Sequence, residues 1–313
     1  MRNPRLKISV VVCTYNRARL LRSVLESLSR QELSPEDYEI IIVDNRSTDE
    51  TRSVVDEFLI CGNVRYVFED KQGLAHARNA GWQAAEGTFV GYLDDDSLAP
   101  SEWLAVAAAI VEEGRFEFFG GPIRPCYPVS RPAWYKEDYD LRTFGVKDEP
   151  LVFKHRGYLS GGNLFVSKRL LATVGGFRAD FGMVGKSLAY GEETDLLMRL
   201  REVMPDLQVL CDPKLYNFHL VRPEKYSLWW NVKDNFARGR NSPRLFNDSL
   251  QEKKRRTLLL LLVRDAYDFI KDVIGSLFSR DRQAYPYWQN YFKEQALSRI
   301  HKLGRICFYL NDK

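Results

Sequence analysis

The sequence predicts an α/β protein built on a mostly parallel central sheet with helices on both faces, continued by a C-terminal helical extension. Three observations predict it. Short runs rich in Val and Ile alternate with segments whose apolar residues recur at helical spacing, and strands apolar throughout belong in a parallel sheet covered on both sides. Polar clusters follow four of these runs, after Val12, Val43, Phe68 and Leu93, at the carboxyl ends where open α/β sheets bind ligands. Past His219 the pattern turns helical and the charge balance changes sign. Residues from Tyr216 onward hold 19 Lys/Arg against 10 Asp/Glu, and those before it 27 against 32.

The elements follow in order. Residues 8–12 are a β-branched run that ends by Tyr15-Asn16-Arg17. With the basic flank at residues 1–7, this reads as a first strand and not as a signal peptide. A helical pattern through Leu20, Leu21, Val24, Leu25 and Leu28 comes next. The second strand, residues 38–43, runs into Asp44-Asn45-Arg46-Ser47-Thr48-Asp49, whose polar caps precede a helix through Val54, Val55 and Phe58. Residues 64–68 predict a third strand, 75–85 a helix, and 89–93 a fourth strand that enters Asp94-Asp95-Asp96. Residues 103–113 read as a helix and 116–123 as a strand. Pro122, Pro125, Pro128 and Pro132 mark an irregular segment to about residue 158. Gly161-Gly162-Asn163 and Gly175-Gly176-Phe177 flank a strand and a short helix. Residues 196–202 read as a helix, 209–211 as the last strand, and 255–278 as an amphipathic helix.

Composition narrows the function classes. With 45% apolar and 28% charged residues, the 313-residue chain can bury a core and is not a disordered sequence. Five scattered cysteines without a CxxC pair argue for a reducing compartment, and against a disulfide framework or a zinc site. No stretch reaches the roughly 18 apolar residues of a membrane span. No Gly-x-Gly-x-x-Gly follows Val12, which argues against hydride transfer. Seventeen of the 40 aromatic residues lie in the basic C-terminal third, among them Trp229, Trp230 and Trp288. Such an extension suits an anionic partner, a membrane surface or nucleic acid, or serves as a plain helical cap. It carries no identifiable nucleic-acid module, so no nucleic-acid partner is expected. Lys253-Lys254-Arg255-Arg256, ahead of the amphipathic helix, reads as a solvated face or as an anchor on anionic headgroups.

Asp94, Asp95 and Asp96 carry the clearest chemistry. Carboxylate oxygens suit a hard divalent cation, Mn²⁺ or Mg²⁺, and leave positions open for substrate phosphates. Three adjacent carboxylates also repel one another, which a cation relieves. An isolated acidic triplet would read better as a solvated turn or a helix cap; at the end of an apolar strand in this pattern, function is the better reading.

Four segments in order, Val10-Val11-Val12-Cys13-Thr14-Tyr15-Asn16-Arg17, Ile42-Val43-Asp44-Asn45, Gly73-Leu74-Ala75-His76-Ala77-Arg78-Asn79-Ala80-Gly81 and Leu93-Asp94-Asp95-Asp96, together resemble the family 2 glycosyltransferases, inverting enzymes of the GT-A fold. Gly161-Gly162-Asn163, Gly175-Gly176-Phe177 and Gly191-Glu192-Glu193-Thr194-Asp195 extend the likeness, which covers about residues 7–240. The resemblance implies a GT-A catalytic domain at residues 1–220, with a nucleotide-sugar half at 1–100 and an acceptor half at 101–220. Residues 221–313 would be the basic, aromatic-rich helical extension.

The resemblance also implies roles. Thr14, Tyr15 and Arg17 would hold the nucleotide base, Tyr15 by stacking, and Asp44 would accept a hydrogen bond from it, which favours a UDP-sugar. Arg78 would face the diphosphate or sugar, Asp94 and Asp95 would bind ribose or sugar hydroxyls, and Asp96 would bind the metal. His219 would complete the metal site, although a lone histidine is often structural. Gly161, Gly162 and Asn163 would receive the acceptor. Glu192 and Glu193 fall on the family's Glu-Asp motif, whose second acid is usually the base. This chain has Glu where Asp is common, so either remains open, with Glu193 preferred. Helix-dipole stabilisation is the plainer reading of these acids. The expected reaction is an inverting, metal-dependent transfer of a hexose-type sugar to a hydroxyl of a glycan or lipid-linked acceptor. The expected location is cytoplasmic or peripheral on the cytoplasmic membrane face. The rivals are a nucleotidyltransferase, which would show an early glycine-rich loop, and a non-catalytic nucleotide-sugar-binding protein.

Overall fold

The computed structural model describes residues 7–154, 157–183, 189–246 and 248–311. The basic flank before Lys7 lies outside the described residues. The chain divides into two compact units. The first takes the described residues of Met1–Cys126, Asp140–Lys186 and Glu192–Leu220; the second takes those of Tyr127–Tyr139, Ser187–Gly191 and Val221–Lys313.

The first unit begins with β1 (Ile8–Thr14), α1 (Ala18–Leu28), β2 (Tyr38–Asp44), α2 (Thr51–Phe58), β3 (Val64–Phe68), α3 (Leu74–Ala84) and β4 (Phe89–Leu93). It continues with β5 (Ser97–Leu98), α4 (Trp103–Glu113), β6 (Phe118–Gly120), β7 (Ile123–Cys126) and β8 (Leu151–Phe153). It ends with β9 (Asn163–Ser167), α5 (Lys168–Val174), α6 (Glu192–Val203), β10 (Val209–Cys211) and β11 (Asn217–Leu220). Eight strands form one sheet in the order β3-β2-β1-β4-β9-β6-β10-β8. Strand β9 runs antiparallel to β4 and β6, and β8 antiparallel to β10. The other pairings are parallel, so the expectation of a mostly parallel sheet holds.

The apolar runs explain this placement. Val10, Val12, Ile40 and Ile42 pack into one core with Leu21, Leu25 and Trp103. Val11, Ile41 and Val43, the residues between them, enter a second core with Ala77, Val166 and Leu196. Alternate residues of one strand point to opposite faces, so a strand that feeds two cores must be apolar at every position. The carboxyl ends of β1, β2 and β4 then share one edge, because β1 lies between the other two.

Two expectations are corrected. Residues 116–123 are not one strand: β6 leaves the large sheet at Gly120, and β7 joins a separate three-stranded sheet ordered β5-β11-β7. Between them a Cβ on Gly121 would overlap the Leu215 carbonyl, and Pro122 has no N–H to offer a ladder. Residues 209–211 are not the last strand either. β11 follows, antiparallel to β5 with His219 opposite Ser97 and parallel to β7.

The second unit is helical, as expected: α7 (Leu228–Asn241), α8 (Arg255–Phe278), α9 (Trp288–Tyr291), then a π turn at Phe292–Ala296 leading into α10 (Leu297–Asn311). A Cβ on Gly239 of α7 would overlap the His301 carbonyl, and one on Gly304 of α10 would overlap the Phe236 carbonyl. The backbones of these two helices therefore touch. Phe292, Ala296, Leu297 and Ile300 form the unit's core with Phe269 and Val273 of α8.

Candidate active site

The polar strand ends of the first unit converge. At the end of β1, the Thr14 hydroxyl donates to Asp95 Oδ2 at 2.9 Å, and Arg17 Nη1 donates to Asp95 Oδ1 at 2.6 Å and to Asp96 Oδ2 at 3.3 Å. Tyr15, between them, is half-buried. Asn16 takes a left-handed φ of 52°, and its side-chain oxygen accepts the Thr48 N–H at 2.7 Å. The loop after β1 is thus tied to the loop after β2. Asp44, at the end of β2, accepts the Tyr66 hydroxyl at 2.9 Å and the Ser47 N–H at 2.8 Å. Burial, and then the Asp44 carboxylate, push the Tyr66 phenol up to about 12.

The three aspartates are held differently. Asp95 and Asp96 are buried, and Asp94 is partly open. Burial raises the Asp95 carboxyl to about 6; Arg17 opposes this and Asp96 adds to it. Burial also raises Asp94, against Arg78 and with Asp96 and Glu193. His219 Nε2 lies 3.3 Å from Asp96 Oδ1. Donor atoms of Asp94, Asp96 and His219 all fall within 4.8 Å of one another. Two carboxylates crowded by burial and by each other, with an imidazole beside them, fit a divalent cation of the Mn²⁺ or Mg²⁺ kind. Asp94 therefore groups with the metal-site candidates, while Asp95 is engaged by Thr14 and Arg17.

Arg78, on α3, is buried with its guanidinium over the Phe177 ring. Its Nη1 donates to Glu192 Oε1 at 2.8 Å, and its Nη2 lies 3.8 Å from Asp94 Oδ1. Glu192 Oε2 is buried with no hydrogen-bond partner. Burial, and then the charge of Glu193, raise the Glu192 carboxyl to about 8. Glu193 is more open and accepts the Gly161 N–H at 3.0 Å. Burial raises it too, but Arg78 and backbone hydrogen bonds outweigh that and hold it below the usual carboxylate range. At neutral pH the two glutamates share one negative charge, and it rests on Glu193.

Gly161 and Gly162 meet this cluster through close approach and not through a left-handed turn. A Cβ on Gly161 would overlap the Arg78 guanidinium, and one on Gly162 would overlap the Asp94 carboxylate. Asn163 belongs elsewhere, and its expected acceptor contact is corrected. It is 0% exposed. Its Oδ1 accepts from Trp103 Nε1 at 3.0 Å, and its Nδ2 donates to the Leu215 carbonyl at 2.7 Å and the Pro122 carbonyl at 3.2 Å. Its side chain is spent inside the fold. Trp103 is likewise core, and Tyr135 is buried in the second unit against Tyr139 and Tyr226.

Three further residues support the site without a role assigned to them from the sequence. Tyr66 orients Asp44, and Arg142 sets a positive charge near Asp94. Asn45 accepts the Gly73 N–H at 2.7 Å ahead of α3, the helix of Arg78. Only Asn45 had a local signal, its place at the end of a strand.

The description "Glycosyl transferase family 2" belongs to a family model that matches residues 9–175. The chain is 25% identical over 228 residues to a glucosyl-dolichyl phosphate glucuronosyltransferase of Haloferax volcanii, covering 68% of this chain and 71% of that one. With two further curated relatives the match spans only 22% and 55% of their length. Among solved structures, S. aureus TarS in complex with UDP-GlcNAc superposes with a TM-score of 0.58 at 20% identity, covering 97% of this chain and 89% of that one. The mannosyltransferase PcManGT from Pyrobaculum calidifontis, in complex with GDP-Man and Mn²⁺, gives 0.57 at 18% identity, covering 96% and 73%. At these identities the two structures speak for the fold.

Proposed function

The chain belongs to glycosyl transferase family 2, and on that premise we propose that it moves a hexose-type sugar from a nucleotide-diphosphate sugar to a hydroxyl of a glycan or lipid-linked acceptor, with inversion. One observation carries this reading: a candidate cation cluster, Asp94, Asp96 and His219, stands in one site with a buried arginine and an ionised glutamate. Departure of a diphosphate and deprotonation of a hydroxyl need such groups side by side.

Thr14, Tyr15, Arg17 and Asp44 are assigned to the nucleotide. Asp44 keeps carboxylate lone pairs beyond those used by Tyr66 and Ser47, which supports a base that offers an N–H, as uracil does. A divalent cation held by Asp94, Asp96 and His219 would supply Lewis-acid neutralisation of the departing diphosphate; the Mn²⁺ in the mannosyltransferase complex supports a metal of this kind. Arg78 faces the same departing charge. Glu193 takes the proton of the acceptor hydroxyl. The freed oxygen bonds to the anomeric carbon as the bond from that carbon to the diphosphate oxygen breaks, and the electron pair leaves with the nucleoside diphosphate. A single displacement inverts the centre. Glu192, protonated and bound to Arg78, acts as a positioning residue. Gly161 and Gly162 let the acceptor loop lie against Arg78 and Asp94.

UDP-, GDP- and dTDP-sugars with Mn²⁺ test the proposal by thermal shift and by nucleotide release. A metal-dependent shift with release of a nucleoside diphosphate is expected. Pyrophosphate release, or no shift with any donor, refutes it.

A further inference from the structure

Helix α8 is apolar on two sides, and only one of them is used. Leu258 is buried, and Leu261 and Leu262 pack with Ile306 and Tyr309. Phe269 and Val273 pack with Phe292 and Ile300. Another set, Leu260, Val263, Tyr267, Ile270, Ile274 and Phe278, is 54% to 81% exposed. At ~100° per residue these six fall within an arc of about 80° that runs the length of the 24-residue helix. A continuous apolar stripe of that size is not ordinary surface.

The charges of the helix say what covers it. Asp265, Asp268 and Asp272 all lie on the side facing α10, where Arg299 holds them at 3.7, 3.4 and 3.2 Å. Arg264 and Lys271 stand between these acids and the stripe, along one edge of the stripe, and are exposed; Arg264 Nη2 lies 3.5 Å from Asp265 Oδ2. Lys254, Arg255 and Arg256 open the helix and are also exposed. The exposed stripe is therefore edged by cations on one side and by the exposed Leu259 and Leu277 on the other, while the three acids lie beyond the cations, toward Arg299.

We infer that α8 docks the protein on a bilayer surface containing anionic lipids, lying in the interface with the stripe among the acyl chains. Arg264 and Lys271 reach headgroup phosphates along their aliphatic stems. No described helix is long and apolar enough to cross a membrane, so the helix lies on the surface. A second copy of the chain is a poor match: it would bring a cationic border against a cationic border, and the acids that could answer it are held by Arg299. The inference goes beyond the transfer reaction, and its readout does not depend on turnover.

Flotation of the full chain with phosphatidylcholine vesicles, with and without phosphatidylglycerol, tests it. Binding is expected to the phosphatidylglycerol vesicles and to weaken as salt rises. The triple variant Val263→Glu, Ile270→Glu, Ile274→Glu should lose at least about tenfold in vesicle partitioning. Each of Lys254→Gln, Arg255→Gln and Arg256→Gln should lose roughly fivefold. These side chains are exposed, so melting temperature and donor-dependent nucleotide release should stay unchanged. Equal flotation of the triple variant overturns the inference. So does a concentration-dependent dimer of the wild-type chain that the triple variant abolishes, since a second copy would then cover the stripe.

Discussion

Exchanging each of the two adjacent glutamates for glutamine separates their roles. Glu193 is the ionised member, held below the usual carboxylate range, and Glu193→Gln removes the group that takes the acceptor proton. General-base catalysis is worth ~10²–10⁴-fold, so kcat should fall by about that factor with donor KM little changed. Glu192 differs. Its carboxyl titrates at about 8, so at pH 7 it already carries the proton that glutamine mimics, and the amide oxygen can still accept from Arg78 Nη1. Glu192→Gln should therefore stay within about tenfold of wild type. The same substitution has a signature in stability. The folded carboxyl is raised above its ordinary value of 4.5, so the folded state holds this proton more tightly than the unfolded chain does. The stability linked to it is fully present below about pH 4.5 and is lost as pH rises through about 8. The loss is at most on the order of 5 kcal/mol. Glutamine does not titrate, so the melting temperature of Glu192→Gln relative to wild type should climb between those pH values, measured without donor or metal. Single-turnover transfer and calorimetry across pH read both effects. Collapse of transfer in Glu192→Gln with survival in Glu193→Gln would refute the assignment.

Asp96→Asn and His219→Ala should each raise the half-saturating Mn²⁺ concentration in the nucleotide-release assay by at least about tenfold; an unchanged metal response would remove these residues from the cation site. Asn163→Ala should cost about 2–4 kcal/mol, since it leaves the Trp103 N–H and two carbonyls without their partner inside the fold. Thermal melting reads that loss, and a raised acceptor KM without it would restore the acceptor role.

The large sheet was legible because its strands serve two cores. Val10 to Val12 and Ile40 to Val43 are apolar at every position, a pattern local enough to read. The small sheet was not. Ser97–Leu98 is two residues long, and Asn217–Leu220 alternates polar with apolar around a histidine, too short a run for a period to emerge. Residues 116–123 read as one strand because apolar pattern does not register that Gly121 must pass the Leu215 carbonyl. In the site, the aspartates could be found from a strand end alone. Their division could not, because it depends on side chains 78 to 81 positions apart, with Thr14 and Arg17 engaging Asp95. Asn163 misled for a similar reason: a polar residue after two glycines reads as exposed, while its partners come from three separate segments.

The pairing of β11 with β5 sets His219 opposite Ser97, one residue past Asp96. Side chains alternate along a strand, so a slip of one residue would turn the imidazole away and offer Phe218 or Leu220 to the carboxylates. A single insertion or deletion between Asp212 and Asn217 would then disable the cation cluster while leaving every donor residue present and every motif readable. Loss of metal binding in such a chain would be an error of alignment in space, invisible to any inventory of its amino acids.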